Sequence, residues 1–383
     1  MAGYDRLYFL KKAWALYPGV IAPVSGAFLR DHYARRRATR GALRAAADAL
    51  LGMIFHAWIP WRARRVQRKF GLDDGWRRHA AAIAHHRFVD PNDIALFRIE
   101  EAGQLDHYIR RFEDAALNKR LNPLGWRSDC LLADKRRFAE RCREAGLPCP
   151  PTVATVARGL VGKLADPGGR ELIAKPVRGE GGDGLTLLGN FMDSASLAEA
   201  LRERFGRSRR DWLVQPRVEG HPALADISLN ALPTVRIVTM SDENGAPEVV
   251  SATFRCASDP AAEVDNMKAG GLIAAVELGD GRLGLACRGY GGGDHATHPI
   301  SGAPIAGRTL PEWKGACELA IRAHRAFAGY LVVGWDIALT PAGPVLIEGN
   351  GKPGVLMPQR AARSGLGASR YGALLAHHLA TKT

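Results

Sequence analysis

The sequence predicts an α+β protein, a mostly helical and basic N-terminal region followed by a region of mixed strands and helices. Three observations predict it. Up to about residue 110 the chain is rich in Ala and Arg, and Pro18-Gly19, Pro60, Gly71 and Pro91 divide it into helical segments. Beyond Ser128, short runs rich in Val, Ile, Leu and Thr alternate with helical patterns. Near the C-terminus, Gly334 to Asn350 reads as two apolar strands joined by the breakers of Thr340 to Pro344.

The N-terminal region carries the charge. Residues 1–80 hold 16 Lys and Arg against 5 Asp and Glu, most of the formal net charge of +14, and the remainder is close to neutral. Such a surface suits an anionic membrane, an acidic polymer or nucleic acid, the last being the least expected; a solvated basic helical face is the plain alternative. Pro60 is expected to end a helix here. The longest apolar run, Ala49 to Ile59, is too short to span a bilayer, but with Arg40, Arg44, Arg62, Arg64 and Arg65 around it the run could lie on an anionic membrane surface or form a buried helix. No leader peptide is visible at the start, where the charges follow the apolar residues, so the expected location is the cytoplasm, peripheral to the inner face of the membrane. Six scattered cysteines with no C-x-x-C pair fit free thiols and argue against a zinc site.

The mixed region reads in order as follows. Ser128-Asp129 offers a helix cap, and Asp134-Lys135 to Ala145 is a helix ending at Gly146. Leu147 to Thr152 is extended, because each residue before a proline is pushed out of the helical region. Glu171 to Pro176 is a short strand running into a glycine-rich stretch; Leu185 to Leu188 is the next strand, and Ser196 to Phe205 a helix. Strands follow at Trp212 to Val218, Thr234 to Met240, Val249 to Arg255 and Leu272 to Leu278. Residues 287–311 read as a long loop, Glu312 to Ala328 as a helix, and the Gly334–Asn350 hairpin closes the pattern.

Three places carry candidate chemistry. A hairpin centred on Ala342 puts Asp336 opposite Glu348 and Gly334 opposite Asn350, and side chains two apart share a face. Directly opposed Cβ atoms lie roughly 5 Å apart, so three oxygen ligands converge and two of them repel, which a hard cation such as Mg²⁺ would resolve. From the hairpin alone, a solvent-facing polar edge is the other reading. In Lys175 to Gly184, four glycines within six residues let backbone N–H groups turn inward as an anion nest, with Lys175 supplying a point charge; a mobile hairpin tip is the alternative. This stretch is neither a Walker A loop nor a dinucleotide fingerprint. In Thr234 to Thr239, Arg236 is centred in an apolar strand and needs an anionic partner, a ligand or an internal carboxylate. His85-His86, His295 and His298 lack metal-ligand spacing and read as surface or satisfied groups.

Taken in order, these motifs resemble an ATP-grasp enzyme over about residues 128–360, and so imply an ATP-grasp fold of two α+β subdomains. Four segments resemble more narrowly the sugar-transfer-associated ATP-grasp family, kin to the α-L-glutamate-ligase-like proteins: His221-Pro222, Thr234 to Thr239, Asp265-Asn266 to Gly270-Gly271, and Gly334-Trp335-Asp336. The implied organisation is a helical region 1–110 and an ATP-grasp region 111–383, with a lid at about 150–216 and a metal-binding part at about 217–383. The resemblance assigns ATP phosphates to Lys135 and Lys175, and a lid over them to Gly179, Glu180, Gly181, Gly182 and Gly184. Adenine and ribose fall to Gln215, Val218 and Glu219, where Gln215 replaces the glutamate of many relatives. Two Mg²⁺ ions fall to Asp336, Glu348 and Asn350. Arg236, Asn266 and Lys268 would serve the transferred group.

The activity implied is a Mg-ATP-dependent ligase that joins a small-molecule or glycan carboxylate to an amine or thiol through an acyl phosphate, in cell-surface polysaccharide or glycoconjugate biosynthesis. Phosphoryl transfer rests mainly on positioning and charge neutralisation, which this cation-rich set supplies. The alternatives are a kinase acting on a sugar or alcohol, and an inactive ATP-grasp scaffold binding a membrane or polymer.

Overall fold

A computed structural model describes residues 26–179, 184–260, 270–289 and 293–381. The N-terminal region is helical: α1 (Arg30–Ala38), α2 (Ala42–Phe70), α3 (Asp74–Arg87) and α4 (Pro91–Phe97). Phe55 and Ile59 of α2 bury against Ala80, Ile83 and Ala84 of α3 and Ile94 and Phe97 of α4. Pro60 does not end the helix. It lies inside α2 on the solvent side, and the buried positions Phe55, Ile59, Ala63 and Val66 continue past it at helical spacing. A proline in a helix interior costs about 3 kcal/mol. Packing of this continuous apolar face offsets that cost. By length and composition α2 is long and apolar enough to cross a membrane, whereas the 11-residue run alone was expected to be too short; 22% of its most apolar stretch is buried.

Two short helices lead to the sheets. α5 (Arg111–Leu121) is followed by α6 (Lys135–Glu144), whose cap is Asp134, accepting from the N–H groups of Arg136 and Arg137 at 3.1 and 3.3 Å. Ser128-Asp129 caps no helix; Asp129 instead takes the guanidinium of Arg127 with both oxygens, each at 2.8 Å. Gly146 ends α6 region as expected, at φ 61°.

The smaller sheet has the order β2-β1-β5-β3-β4, all antiparallel, from β1 (Ala154–Ala157), β2 (Leu160–Leu164), β3 (Glu171–Pro176), β4 (Thr186–Asn190) and β5 (Trp212–Pro216). Helix α7 (Ser194–Phe205) buries Leu197, Leu201 and Phe205 against Val156, Leu172, Ala174 and Val214, which covers one face. Ile173, Lys175, Leu213 and Gln215 occupy the other face by alternation. The β1–β2 hairpin was not expected. Leu160–Leu164 is an edge strand with hardly a buried residue, so it shows no apolar alternation to read.

The larger sheet runs β10-β9-β8-β7-β6-β11-β12, again antiparallel throughout: β6 (Thr234–Ser241), β7 (Pro247–Cys256), β8 (Leu272–Val276), β9 (Leu283–Arg288), β10 (Asp294–His295), β11 (Val332–Thr340) and β12 (Gly343–Asn350). A four-residue helix α8 (Ala225–Ser228) precedes it. Helix α9 (Trp313–Ala326) covers one face, where Ala316, Leu319, Ala320 and Ala323 meet Val235, Ile237, Phe254, Trp335 and Leu346. On the opposite face α11 (Arg370–Thr381) and α5 cover Val238, Met240, Val250 and Val332, and Ala361 of α10 (Leu356–Ala362) meets Ile273 and Cys287. The segment expected as a loop over 287–311 contains the end of β9 and the two-residue β10, so its first part belongs to the sheet. All six cysteines are free thiols.

Candidate functional site

The site starts from the register of β11 and β12. Asp336 pairs with Glu348 and Gly334 with Asn350, as expected, although the turn is not centred on Ala342. Thr340 pairs with Gly343, and a bulge between Asp336 and Ile337 adds one residue on β12 before the carboxylates meet. The turn and the bulge compensate, so the polar pairs keep their register. Gly343 sits at φ 105°, a conformation that favours glycine, and Thr340 Oγ1 donates to its carbonyl at 2.7 Å.

Asp336 is buried and already neutralised. Arg236, its register partner on β6, donates to both oxygens, from Nη2 at 2.9 Å and from Nε, and Arg255 of β7 approaches Oδ2 at 3.0 Å. Burial pushes the Asp336 carboxyl up, but the two guanidinium groups prevail and hold it well below the usual carboxylate range. Glu348 goes the other way: burial first, then the Asp336 charge, raise its pKa against the opposing pull of Lys135, and its carboxyl hydrogen-bonds Asp336. Asn350 Nδ2 donates to Glu348 Oε1 at 3.4 Å.

The smaller sheet and α6 bring the cations. Lys135 stands at the first turn of α6, its backbone N–H donating to Val177 O at 3.1 Å, and its Nζ donates to Gly179 O at 2.8 Å and lies 3.8 Å from Glu348. Lys175, at the end of β3, is lowered to about 8 by burial first and by the charge of Lys135, with Glu348 pulling the other way. Arg178 Nη1 donates to Ser128 O at 2.7 Å, fixing the approach to the glycine stretch. Gln215 is buried on β5; Nε2 donates to Pro150 O at 2.8 Å, while Oε1 is buried with no hydrogen-bond partner among the described residues. Beyond it, Val218 is half-buried and Glu219 exposed. Thus Lys135 and Lys175 both act on Glu348, and Glu348 joins Asp336, Asn350 and Arg236. Gly179 and Gly184 are described, at φ 146° and 82°; Glu180, Gly181, Gly182, Asn266 and Lys268 lie outside the described residues.

The sequence model of the sugar-transfer associated ATP-grasp family matches residues 114–370. The chain belongs to this family. Among solved structures the ATP-grasp chain is similar to an L-amino acid ligase from Bacillus licheniformis, at 15% identity and a TM-score of 0.35 over 63% of this chain and 49% of that one. It is also similar to a D-alanine–D-alanine ligase from Bacillus anthracis complexed with ATP (12%, TM-score 0.39, 66% of this chain and 68% of that one). The VanG D-Ala:D-Ser ligase from Enterococcus faecalis gives 16% and a TM-score of 0.34, over 66% of this chain and 61% of that one. The chain therefore spans about half the length of the Bacillus licheniformis ligase. No curated protein matches the sequence.

Arg255 is the site residue that sequence reading of this ATP-grasp protein missed. It pairs in register with Thr234, donates to Thr234 Oγ1 from Nη2 at 2.6 Å, and completes the clamp on Asp336. Its signal was the one that marked Arg236, a charge in an apolar strand, but it stood at an expected strand end, where charge is ordinary. His298 is a satisfied core group: its Nε2 pairs with Ala257 O at 2.8 Å and its Nδ1 accepts from Ile300 and Ser301 N–H. His85 stacks on His56, away from the site.

Proposed function

We propose that this ATP-grasp protein is an ATP-dependent ligase that joins a carboxylate to an amine or thiol through an acyl phosphate, releasing ADP and phosphate. The observation that carries this reading is the meeting of Lys135 and Lys175 with the Asp336–Glu348 pair. Two ammonium groups beside a carboxyl pair form a site for a polyphosphate and its cation. The Gln215 Oε1, without a partner among the described residues, supports adenine on the sheet face that carries Lys175, because a buried acceptor without a donor is costly and the exocyclic amine of adenine would satisfy it.

The oxygen donors fit magnesium. A carboxyl pushed towards its neutral form beside an ionised one is a place where a hard cation can substitute for a proton, and Glu348 is such a group beside Asp336. Glu348 and Asn350 would hold the ion. Asp336, whose oxygens also take Arg236 and Arg255, would hold it more weakly. When bound, magnesium would neutralise phosphate oxygens and orient them.

The protein's own residues then divide the work. Lys135 and Lys175 hold the polyphosphate in place, and the Lys135 bond to Gly179 ties that grip to the start of the glycine stretch. Arg236 and Arg255, paired with Asp336, would add positive charge near the group being transferred. A substrate carboxylate oxygen attacks the terminal phosphorus and ADP leaves; the nucleophile then attacks the acyl carbon and phosphate leaves. Closure of the Gly179–Gly184 stretch would keep water from the mixed anhydride. The family's link with sugar transfer makes sugar acids and glycan carboxylates the first acids to try.

The test is a panel of acids with ATP, Mg²⁺ and hydroxylamine, followed by product analysis. A hydroxamate with stoichiometric ADP and phosphate is expected, and is lost in Glu348→Gln. A phosphomonoester without free phosphate would overturn the ligase in favour of a kinase.

A further inference from the structure

Helix α2 presents two opposed faces. One, through Phe55, Ile59, Ala63 and Val66, is buried against α3 and α4. The other carries Leu43, Leu50, Ile54 and Trp61 in line, at spacings of seven, four and seven residues, with Met53 beside them. These five are exposed by 91, 56, 47, 53 and 63% respectively. They are five of the eleven large apolar side chains exposed among the described residues, so the exposure is concentrated on one helix face rather than scattered.

The same face changes character in its last two turns. Arg64, Arg65 and Arg68 are exposed there, and Arg64 and Arg68 line a cleft with Gln67, Asp74 and Arg77. Arg62 lies over the Trp58 ring and Arg65 over Trp61, both at 5.4 Å. Apolar residues flanked by tryptophans and arginines match the layering of a bilayer surface, where rings sit at headgroup level and guanidinium groups meet phosphates.

We propose that this face docks the protein on an anionic phospholipid bilayer, with α2 lying in the plane of the membrane. Leu50, Ile54 and Trp61 enter the interface, and Arg64, Arg65 and Arg68 take lipid phosphates. The helix does not span. Its opposite face is packed on α3 and α4, and Arg62 pairs with Asp90 of the neighbouring segment at 2.9 Å, so insertion would strip these contacts. A second copy of the chain is the poorer occupant. The helix has one acid, Asp48, which is buried against Arg40. Parallel pairing of two α2 helices by this face sets Arg64, Arg65 and Arg68 of one copy against those of the other, and in neither direction does the face offer them an acid.

The test is flotation of the full-length protein with vesicles of phosphatidylcholine alone and with added phosphatidylglycerol. Partition onto the anionic vesicles at least roughly tenfold stronger than onto neutral ones is expected, falling with salt. Leu50→Glu with Ile54→Glu should abolish it, and Arg64→Gln with Arg68→Gln should weaken it roughly tenfold. All four side chains are exposed, and unchanged thermal unfolding checks that the variants fold. A blue shift of tryptophan emission on vesicle addition should be present in the wild type and reduced in Trp61→Phe. Equal partition onto both vesicles, or wild-type partition by the Leu50→Glu, Ile54→Glu variant, would overturn the proposal. So would a dimer that this variant dissociates in the absence of vesicle binding.

Discussion

At the scale of single residues, the two opposed carboxylates differ in what they do for the fold. Asp336 is the anion that holds the buried Arg236 and the part-buried Arg255, so Asp336→Asn leaves Arg236 short of a counter-charge. A cost of about 3–5 kcal/mol is expected for breaking such a buried set. Glu348, by contrast, is pushed towards its neutral form, so Glu348→Gln should change stability by about 1 kcal/mol or less while removing turnover. Urea unfolding of both variants beside an ADP-release assay checks this; equal destabilisation by both would refute it. Lys175 gives a pH signature. With its pKa near 8, the ammonium is lost above that pH, and nucleotide affinity should fall by up to about tenfold per unit from pH 8 upward. The stability of the free protein runs the opposite way. The folded state gives up this proton below the unfolded value of 10.5, so the unfavourable contribution, complete below about pH 8, fades towards pH 10.5. Titration of analogue binding in wild type and Lys175→Arg tests it, since arginine does not titrate there. The opposed carboxylates and Arg236 were legible from strand alternation alone. Arg255 was not, because its partner is set by which strands neighbour each other, which no local periodicity reports.

At the scale of elements, the β11–β12 hairpin owes its position to α5 as well as to its own register. Asn122, the residue after α5, donates to Val332 O at 2.9 Å and Gly351 O at 2.6 Å and accepts from Leu331 N–H at 2.8 Å. One amide thus pins both the start of β11 and the residue that follows Asn350. The backbones close up beside it: a Cβ on Gly125 would stand 2.6 Å from Gly351 O. Asn122→Ala takes this partner from two buried backbone groups and one part-buried one, at about 1–3 kcal/mol for each buried group, so a loss of about 3 kcal/mol is expected. The KM for ATP should rise as well, through displacement of Asn350; steady-state kinetics on the folded fraction checks it, and an unchanged KM would exclude this coupling. Elements with a strong period, α6, α7, α9, β6 and β7, were legible to within a few residues. Helix α2 was misread at Pro60, because a local rule about proline was outweighed by an apolar face that only packing reveals. The β1–β2 hairpin was missed because an exposed edge strand leaves no pattern.

At the scale of the whole molecule, what the sequence could not show is the encounter of its parts. Lys175 belongs to a strand of the smaller sheet, Lys135 to α6, whose Phe138 and Cys142 pack in the core of the larger sheet, and Glu348 to the edge strand of the larger sheet, where Lys135 comes within 3.8 Å of it. Neither half holds a complete site, and the charges are arranged at a cost: Lys175 is depressed by Lys135, and Glu348 is raised by Asp336. A polyphosphate with magnesium relieves both strains together, since it supplies negative charge to the lysines and positive charge to the carboxyls. Binding should therefore stabilise the two halves as one unit. A non-hydrolysable ATP analogue at 100 times its Kd should add about 2.7 kcal/mol to stability. The full gain should require Mg²⁺ in the wild type. In Glu348→Gln the magnesium-dependent part should disappear, while a weaker, magnesium-independent gain through Lys135 and Lys175 survives and is removed by Lys175→Ala. Thermal unfolding of the three proteins, with and without Mg²⁺, resolves the two contributions. A full shift in Glu348→Gln would place the cation elsewhere, and a Mg²⁺-dependent shift untouched by Lys175→Ala would remove that lysine from the phosphate grip.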